Sequence, residues 1–181
     1  MKINSFSILL LSVFLCSCAS IGLTKPFQDK GINIESFRQL TSKACSSTSL
    51  LVVARYWGIK KSIAEIEQEL GARPKDGYTL GQLHNWAKKN GLEAFIFSGS
   101  IEDIVYHTKK RRPLIVSIEK GKGNHSVVVK FVTRDGNLVV MDPVRGGNVL
   151  LDREKFLKSW KPLGNPILLI APARIEPKQR A

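Results

Sequence analysis

The sequence predicts an α+β domain with two lobes, in which helices come first and an antiparallel sheet follows. Three helical segments with capping signals occupy the chain up to Gly91. After Gly91, β-branched runs dominate, and two of them flank an Asp-Gly turn of the kind that closes hairpins. Helices segregated from antiparallel strands in this way are typical of the α+β class.

Apolar spacing and end signals define the three helices of the first half. The first is predicted to begin between Ser42 and Cys45 and to run to Trp57, because apolar residues recur there at helical spacing and Gly58 follows. The second lies in "SIAEIEQELG", in which Ser62 and Glu65 form a capping box. The third, "TLGQLHNWAKKNG", repeats this pattern with Thr79 and Gln82. Each ends at a glycine, the residue that best tolerates a helix C-terminus.

The second half is predicted to alternate strands with two short helices. "LEAFIF" and "PLIVSIE" are expected to be strands, and the helix between them is capped by Ser100. "HSVVVKFVTRDGNLVVMDP" is expected to form a hairpin that turns at Asp135 and Gly136. A helix capped by Asp152 and a last strand, "PILLIAP", complete the domain.

The first residues have the layout of a secretory signal peptide. Lys2 precedes an apolar run over residues 6–15, and small residues follow. A membrane-spanning helix would need about 20 apolar residues, so this run is too short to be one.

The end of this segment, "LCSC", resembles a bacterial lipoprotein box. Leu15 lies three residues before Cys18, and the small Ser17 directly precedes it. Cys16 is a poorer candidate, because bulky Leu15 stands before it. The resemblance implies cleavage before Cys18, acyl chains on that cysteine, and a domain anchored to a bilayer facing the periplasm. Ala19 favours the outer membrane by analogy with lipoprotein sorting.

These signals divide the chain into four parts. We expect a signal peptide over residues 1–17, a lipidated cysteine with a tether over 18–32, one folded domain over 33–172 and a tail over 173–181. The domain is long enough to bury a core of its own.

The chain is basic, with 28 Lys and Arg against 15 Asp and Glu and a net charge of +13. The basic residues are scattered, apart from "KKRR", which is typical of a solvated surface. Such charge also favours an anionic lipid face or acidic substrates. Binding to nucleic acid is not expected, because no recognition motif stands out and the leader directs the chain out of the cytoplasm.

Cys45 is the only one of the three cysteines left free if Cys16 is removed and Cys18 is acylated. A lone thiol in an oxidising compartment points to a reactive role. A small buried apolar residue is an equally good interpretation on cysteine count alone.

The position of Cys45 at a predicted helix N-terminus favours the thiolate, because the helix dipole and free N–H groups stabilise negative charge. A nucleophilic thiolate needs a base, which is most often histidine. His84 and His107 lie in helices and are interpreted as structural. His125 opens an apolar strand after a glycine-rich turn, so it can point into a cleft, although a chance polar residue at a strand start remains an alternative.

Two further residues complete a possible site. Asp142 ends the partner strand of the hairpin, offset from His125, and the sheet can bring the two together. An Asp before proline also caps turns, so a structural role stays open. Gln39 precedes Cys45 by six residues, and its amide could donate to an oxyanion beside the Cys45 backbone N–H. No pattern indicates a metal site or a cofactor.

The segments "QLTSKACSSTSLLVVARYWG", "GNHSVVVKFV" and "VVMDPVRGG" occur in the order seen in papain-like cysteine peptidases. More narrowly, the chain resembles the C39 family, the double-glycine leader peptidases first known from bacteriocin exporters. The resemblance covers roughly residues 33–171 and implies a papain-like two-lobed fold with the cysteine at the start of the central helix. The chain departs from the usual family pattern at "ACSS", where family members carry Asp-Cys-Gly-Pro, and at Ser126, where an aromatic residue is common.

The resemblance assigns a role to each candidate residue. Cys45 would be the nucleophile, His125 the base and then the acid, Asp142 the residue that orients the imidazole, and Gln39 part of the oxyanion hole. The implied reaction is attack on a peptide carbonyl, a thioester intermediate and hydrolysis. We therefore expect a monomeric periplasmic thiol peptidase that acts on peptides or proteins. The alternative is a non-catalytic peptide-binding or accessory lipoprotein on the same fold.

Overall fold

The computed structural model describes residues 31–121 and 123–173. Five α-helices lie in this part of the chain: α1 (Cys45–Tyr56), α2 (Ile63–Leu70), α3 (Leu80–Lys89), α4 (Ile101–Lys109) and α5 (Arg153–Trp160). Six strands accompany them: β1 (Leu92–Ser98), β2 (Leu114–Lys120), β3 (Gly123–Val132), β4 (Leu138–Asp142), β5 (Gly147–Leu151) and β6 (Pro166–Pro172). A short 3₁₀ helix, Lys161–Leu163, follows α5. The predicted α+β class is confirmed, since helices fill the first half and an antiparallel sheet the second.

The helix starts follow from local side-chain chemistry. The Ser62 and Thr79 side chains each accept a hydrogen bond from the backbone N–H three residues on. The Glu or Gln side chain at that position accepts one from the backbone N–H of the cap residue. Ser100 caps α4 in the same way, with Asp103 as its partner. These caps satisfy backbone donors that a helix start leaves without an internal partner. The predicted capping boxes at Ser62 and Thr79 are confirmed.

The six strands form one antiparallel sheet in the order β1-β6-β2-β3-β4-β5. The predicted hairpin is present, with β3 and β4 joined by the turn at Asp135 and Gly136. A bulge at Lys130 shifts its register. β5 is not predicted by the sequence; it pairs along its whole length with β4 and forms one edge of the sheet.

The core lies on both faces of the sheet. On one face, α1, α2 and α3 pack through residues such as Leu50 and Leu83 against Val128 of β3. On the other face, α4 and α5 bury Ile104 and Trp160. Burial on both faces explains why β3 is almost continuously apolar instead of alternating with polar residues. The sheet therefore holds α1 in a fixed place across β3.

The segment before α1 also packs on the domain. Ile32 is 1% exposed, and its backbone N–H donates to the Lys130 carbonyl at 3.3 Å. A Cβ atom on Gly31 would lie only 2.0 Å from the Phe131 ring. The last two residues of the predicted tether, 31 and 32, thus contact the domain, and residues 18–30 lie outside the described part of the chain. No helix within the described ranges is long and apolar enough to cross a membrane.

Candidate active site

Cys45 is the first residue of α1, as the sequence predicts. Ala44 precedes it and contributes no side-chain cap, so the first backbone N–H groups of the helix have no capping side chain. These N–H groups and the helix dipole place partial positive charge beside the sulfur. Cys45 is 9% exposed and lines an open groove, so the thiol is both partly desolvated and reachable.

Arg73 stabilises the loop before Cys45. Its guanidinium donates to the Thr41 hydroxyl at 2.7 Å and contacts the Glu67 carboxylate. Glu67 in turn accepts a hydrogen bond from the Ser47 hydroxyl in the first turn of α1 at 2.7 Å. One ion pair between α2 and the following loop therefore positions both the approach to Cys45 and the start of its helix.

His125 and Asp142 lie side by side at one end of the β3–β4 hairpin. Val128 pairs with Met141, so Asp142 falls opposite Val127, two residues from His125. Alternate residues of a strand share a face, which makes His125 and Asp142 diagonal neighbours. Their side chains are 2.8 Å apart, His125 Nε2 to Asp142 Oδ1. The offset in the sequence is therefore what brings the two side chains into contact.

The same carboxylate holds the turn after β4. Asp142 Oδ1 accepts a hydrogen bond from the Val144 backbone N–H at 2.8 Å, and Asp142 Oδ2 lies 3.7 Å from Lys120 Nζ. Asp142 thus has both the turn-capping role and the contact with His125 that the sequence left as alternatives.

Cys45 is in contact with the His125 ring and with the Ser126 backbone N–H. Burial is the largest influence on the thiol and raises its pKa. The hydrogen bonds from His125 and Ser126, together with the charge of the imidazolium, outweigh burial and hold the pKa of Cys45 below its ordinary value. Because Nε2 of His125 faces Asp142, Nδ1 is the ring nitrogen left for the sulfur.

The two partners of the thiol are shifted in the matching directions. Burial disfavours the imidazolium, but hydrogen bonds to Asp142 and Cys45 raise the pKa of His125 above its ordinary value. Burial likewise opposes ionisation of Asp142, yet the hydrogen bond and charge of His125 lower its pKa to about 2. The arrangement therefore favours the thiolate form of Cys45, the imidazolium form of His125 and the carboxylate form of Asp142.

Gln39 lines the groove that contains Cys45, but its amide already has a partner. Its Nε2 donates to the Thr41 carbonyl at 2.9 Å, and its backbone N–H donates to the Pro143 carbonyl at 2.9 Å. An amide nitrogen carries two N–H bonds, so one remains for a ligand. These bonds fix Gln39 between the loop before α1 and the turn after Asp142.

The groove has a volume of about 310 Å³. It is lined by Gln39, Lys43, Cys45, Lys120, Gly123, Asn124, His125 and Val144. His84 and His107 lie elsewhere, on α3 and α4. In the part of the chain that the structure describes, no group of three His, Cys, Asp or Glu could hold a metal ion.

Several serines beneath the site had no predicted role. Ser46 and Ser126 are buried, and Ser126 Oγ lies 3.0 Å from Ser46 Oγ and 3.3 Å from Ser117 Oγ. Ser49 donates to the Ser126 carbonyl at 3.3 Å. This polar seam joins α1 to β3 directly beneath the Cys45 and His125 side chains. The only signal in the sequence was the departure from the family pattern at Ser46 and Ser126.

A cysteine at the start of a central helix, facing a histidine on an antiparallel sheet, is the arrangement of a papain-like cysteine peptidase. Residues 33–174 match the Peptidase C39 family. The chain belongs to this family. A search of curated proteins finds no match.

Solved structures support the same fold. The peptidase domain of Streptococcus ComA, a bifunctional ABC transporter of a quorum-sensing pathway, aligns with a TM-score of 0.68 and 24% identity, over 78% of this chain and all of that one. A double-glycine-motif protease from an AMS/PCAT transporter, in complex with the leader peptide, aligns with a TM-score of 0.66 and 21% identity, over 79% of this chain and 94% of that one. A C39-like peptidase from Bacillus anthracis aligns with a TM-score of 0.65 and 20% identity, over 78% of this chain and 96% of that one.

Proposed function

We propose that this protein is a cysteine peptidase that hydrolyses peptide bonds with Cys45, His125 and Asp142. One observation carries the proposal. His125 bridges the Cys45 thiol and the Asp142 carboxylate, and both Cys45 and His125 line one open groove. Membership of the C39 peptidase family agrees with it.

In the acylation step, the Cys45 thiolate attacks the carbonyl carbon of the substrate. The oxyanion that forms accepts hydrogen bonds from the Cys45 backbone N–H and from the second amide N–H of Gln39. His125, as imidazolium, gives its proton to the leaving amine, and a thioester to Cys45 remains.

In the deacylation step, neutral His125 takes a proton from water, and the resulting hydroxide attacks the thioester. The C–S bond then breaks, the carboxylic acid product leaves, and the Cys45 thiolate and the His125 imidazolium are restored. Asp142 accepts the hydrogen bond from Nε2 throughout, so the other ring nitrogen stays directed at the reacting atoms.

The substrate is a peptide or protein segment that enters the groove in an extended form. One of the similar structures holds a leader peptide, and we propose a peptide ligand for this chain by that likeness. The groove volume of about 310 Å³ accommodates a few residues around the scissile bond.

Cleavage of a defined peptide mixture tests this function. The full chain is purified with Cys16 and Cys18 replaced by serine, so that Cys45 is the only thiol. New peptide termini are identified by mass spectrometry, and a thiol-directed peptidyl chloromethyl ketone is mapped onto the protein. We expect cleavage and labelling of Cys45, and we expect Cys45→Ala to abolish both.

The alternative is a peptide-binding module on the same fold, and the same samples separate the two. A binding module would retain peptides from the mixture but release them uncleaved, and its thiol would titrate like free cysteine. That pair of results would overturn the enzymatic proposal and leave the fold unaffected.

We also propose that the mature protein is held by acyl chains on Cys18 and faces the periplasm, at the outer membrane. The support is the "LCSC" sequence and the Ala19 that follows it. The test is mass spectrometry of the N-terminal peptide from fractionated membranes. We expect diacylglyceryl and acyl masses on Cys18, and release of Cys18→Ser from the membrane. An unmodified Cys18 in a soluble fraction would contradict the anchor.

A further inference from the structure

Two ammonium groups line the groove that contains Cys45. They belong to Lys43 and Lys120, whose side chains are 49% and 50% exposed. Among the described residues, no Asp or Glu lines the groove. Asp142, the carboxylate that contacts His125, is buried and does not belong to the lining. The charge that a ligand meets, apart from the Cys45 and His125 pair, is therefore positive.

The two lysines reach the groove from different elements. Lys43 lies in the loop before α1, and its φ of 65° turns the chain just ahead of Cys45. Lys120 ends β2 and pairs in register with Gly123 of β3. A Cβ on Gly123 would lie 3.8 Å from Lys43 Nζ. Both lysines thus border the groove wall at Gly123, two residues from His125.

Their present partners leave both charges available. Lys43 Nζ lies 3.5 Å from Asp76, whose side chain is 90% exposed. Lys120 Nζ lies 3.7 Å from Asp142, which already accepts hydrogen bonds from His125 and Val144. The Lys43–Asp76 pair is solvent-exposed, and such pairs contribute little. Asp142 is buried, but Lys120 is half-exposed, and their separation is longer than a hydrogen bond. A ligand anion can therefore replace or join these partners at little cost.

We propose that Lys43 and Lys120 recognise a carboxylate of the substrate close to the bond that Cys45 attacks. This inference rests on the proposed function and names its substrate class, peptides with a carboxylate close to the scissile bond. The carboxylate can be an Asp or Glu side chain or the C-terminus of the peptide chain. In both cases two half-exposed cations attract the anion at short range, and salt weakens the attraction.

Three alkylating probes test the proposal without a known substrate. They are N-chloroacetyl-glutamate amide, N-chloroacetyl-glutamine amide and N-chloroacetyl-glutamine free acid. In each, the Cys45 thiolate displaces chloride from the chloroacetyl carbon, so that one S–C bond forms and one C–Cl bond breaks. The first probe carries a side-chain carboxylate, the second no charge and the third a terminal carboxylate. Rates are divided by those of free cysteine to remove intrinsic reactivity.

We expect one of the two charged probes to react with the wild-type protein about two- to fivefold faster than the neutral probe, from the strength of exposed ion pairs. The side-chain probe or the terminal probe identifies which carboxylate is recognised, and either result supports the proposal. The preference should fall by about twofold in Lys43→Met and in Lys120→Met. Lys155→Met, on α5 away from the groove, is the matched control and should keep the full preference.

The neutral probe is the internal reference of each variant, because misfolding would change all three rates together. Equal normalised rates for all probes in the wild type would overturn the proposal, as would a preference that survives both lysine replacements. A thiol that reacts with none of the probes would also count against it, since the groove would then not admit a peptide-like group. A lysine-dependent preference without any peptide cleavage would support carboxylate recognition and contradict the enzymatic function.

Discussion

Ser46 Oγ and Ser126 Oγ are hydrogen-bonded at 3.0 Å, so the residue after Cys45 is tied to the residue after His125. Both serines are buried, at 6% and 3% exposure. They are also two positions at which the chain differs from the usual C39 pattern, and the two departures contact each other. This bond therefore links α1, which carries the thiol, to β3, which carries the imidazole.

A double-mutant cycle measures what the serine pair contributes. Ser46→Ala and Ser126→Ala should each lower the free energy of unfolding by about 0.5–1.5 kcal/mol, because each leaves a buried hydroxyl with one partner fewer. The double variant should lose less than the sum of the two. Ser46→Ala should also raise the pKa of Cys45, since the Ser46 hydroxyl donates to the thiolate.

Urea unfolding gives the free energies, and the pH dependence of iodoacetamide alkylation gives the thiol titration. Ser98→Ala is the control, because its exposed hydroxyl bonds the Gly164 carbonyl away from the groove. It should leave the alkylation profile unchanged. If the losses in free energy of unfolding simply add in the double variant, and the pH dependence of Cys45 alkylation does not change, the serine bond has no positioning role.

His125→Ala should raise the pKa of Cys45. The substitution removes the ring hydrogen bond and the imidazolium charge, while the burial that disfavours the thiolate remains. Alkylation across pH, with Cys45 as the only thiol, measures the change. Cleavage of any peptide substrate should fall by about 10²–10⁴-fold, the usual contribution of a general acid–base group. An unchanged alkylation profile would mean that His125 does not activate the thiol.

Local signals predict the helix starts, and distant pairings do not follow from them. The caps at Ser62, Thr79 and Ser100 depend on residues three apart, so the sequence shows them directly. The Asp-Gly turn likewise fixes which strands form the hairpin. The pairing of β1 with β6 joins segments about seventy residues apart, and only the closed core determines it.

The site shows the same division. Spacing from the hairpin turn predicts that His125 approaches Asp142, and the contact of 2.8 Å is present. β5 was not predicted, because "GNVLL" is short and starts with turn-forming residues. It forms a strand through its pairing with β4. The Ser46–Ser126 bond escaped because serine patterns carry no information about a partner eighty residues away.

Asp142→Asn should keep the geometry of the site but lower the pKa of His125. An Asn oxygen can still accept from Nε2 of His125 and from the Val144 N–H, whereas the negative charge that favours the imidazolium is lost. The His125 ring protons, followed by NMR against pH, report the shift. Asp152→Asn, a cap of α5, is the control and should leave that titration in place. An unshifted His125 in Asp142→Asn would remove the electrostatic role of Asp142.

The stability of the fold should fall at acid pH through Asp142. Its pKa is lowered from 3.8 to about 2 in the folded state, so its contribution is present above pH 3.8 and is lost as the pH falls towards 2. We expect a loss of about 1–2 kcal/mol over this interval, allowing for solvent screening of the half-exposed Lys120. Urea unfolding at a series of pH values measures it. Asp142→Asn should show a shallower decline, and equal slopes would contradict the assignment.

Gly146 sets the distance between the turn after β4 and the loop that carries Gln39. Its φ is 68°, and a Cβ there would lie 2.7 Å from the Arg38 Cβ. Gly146→Ala should therefore cost about 1–3 kcal/mol through backbone strain and push the loop away, weakening the bond from the Gln39 N–H to the Pro143 carbonyl. Gly147→Ala is the matched control, because no atom lies within 4 Å of a Cβ at Gly147. We expect thermal unfolding and peptide cleavage to be impaired in the first variant only. Equal behaviour of the two variants would show that the close approach of this turn does not position Gln39.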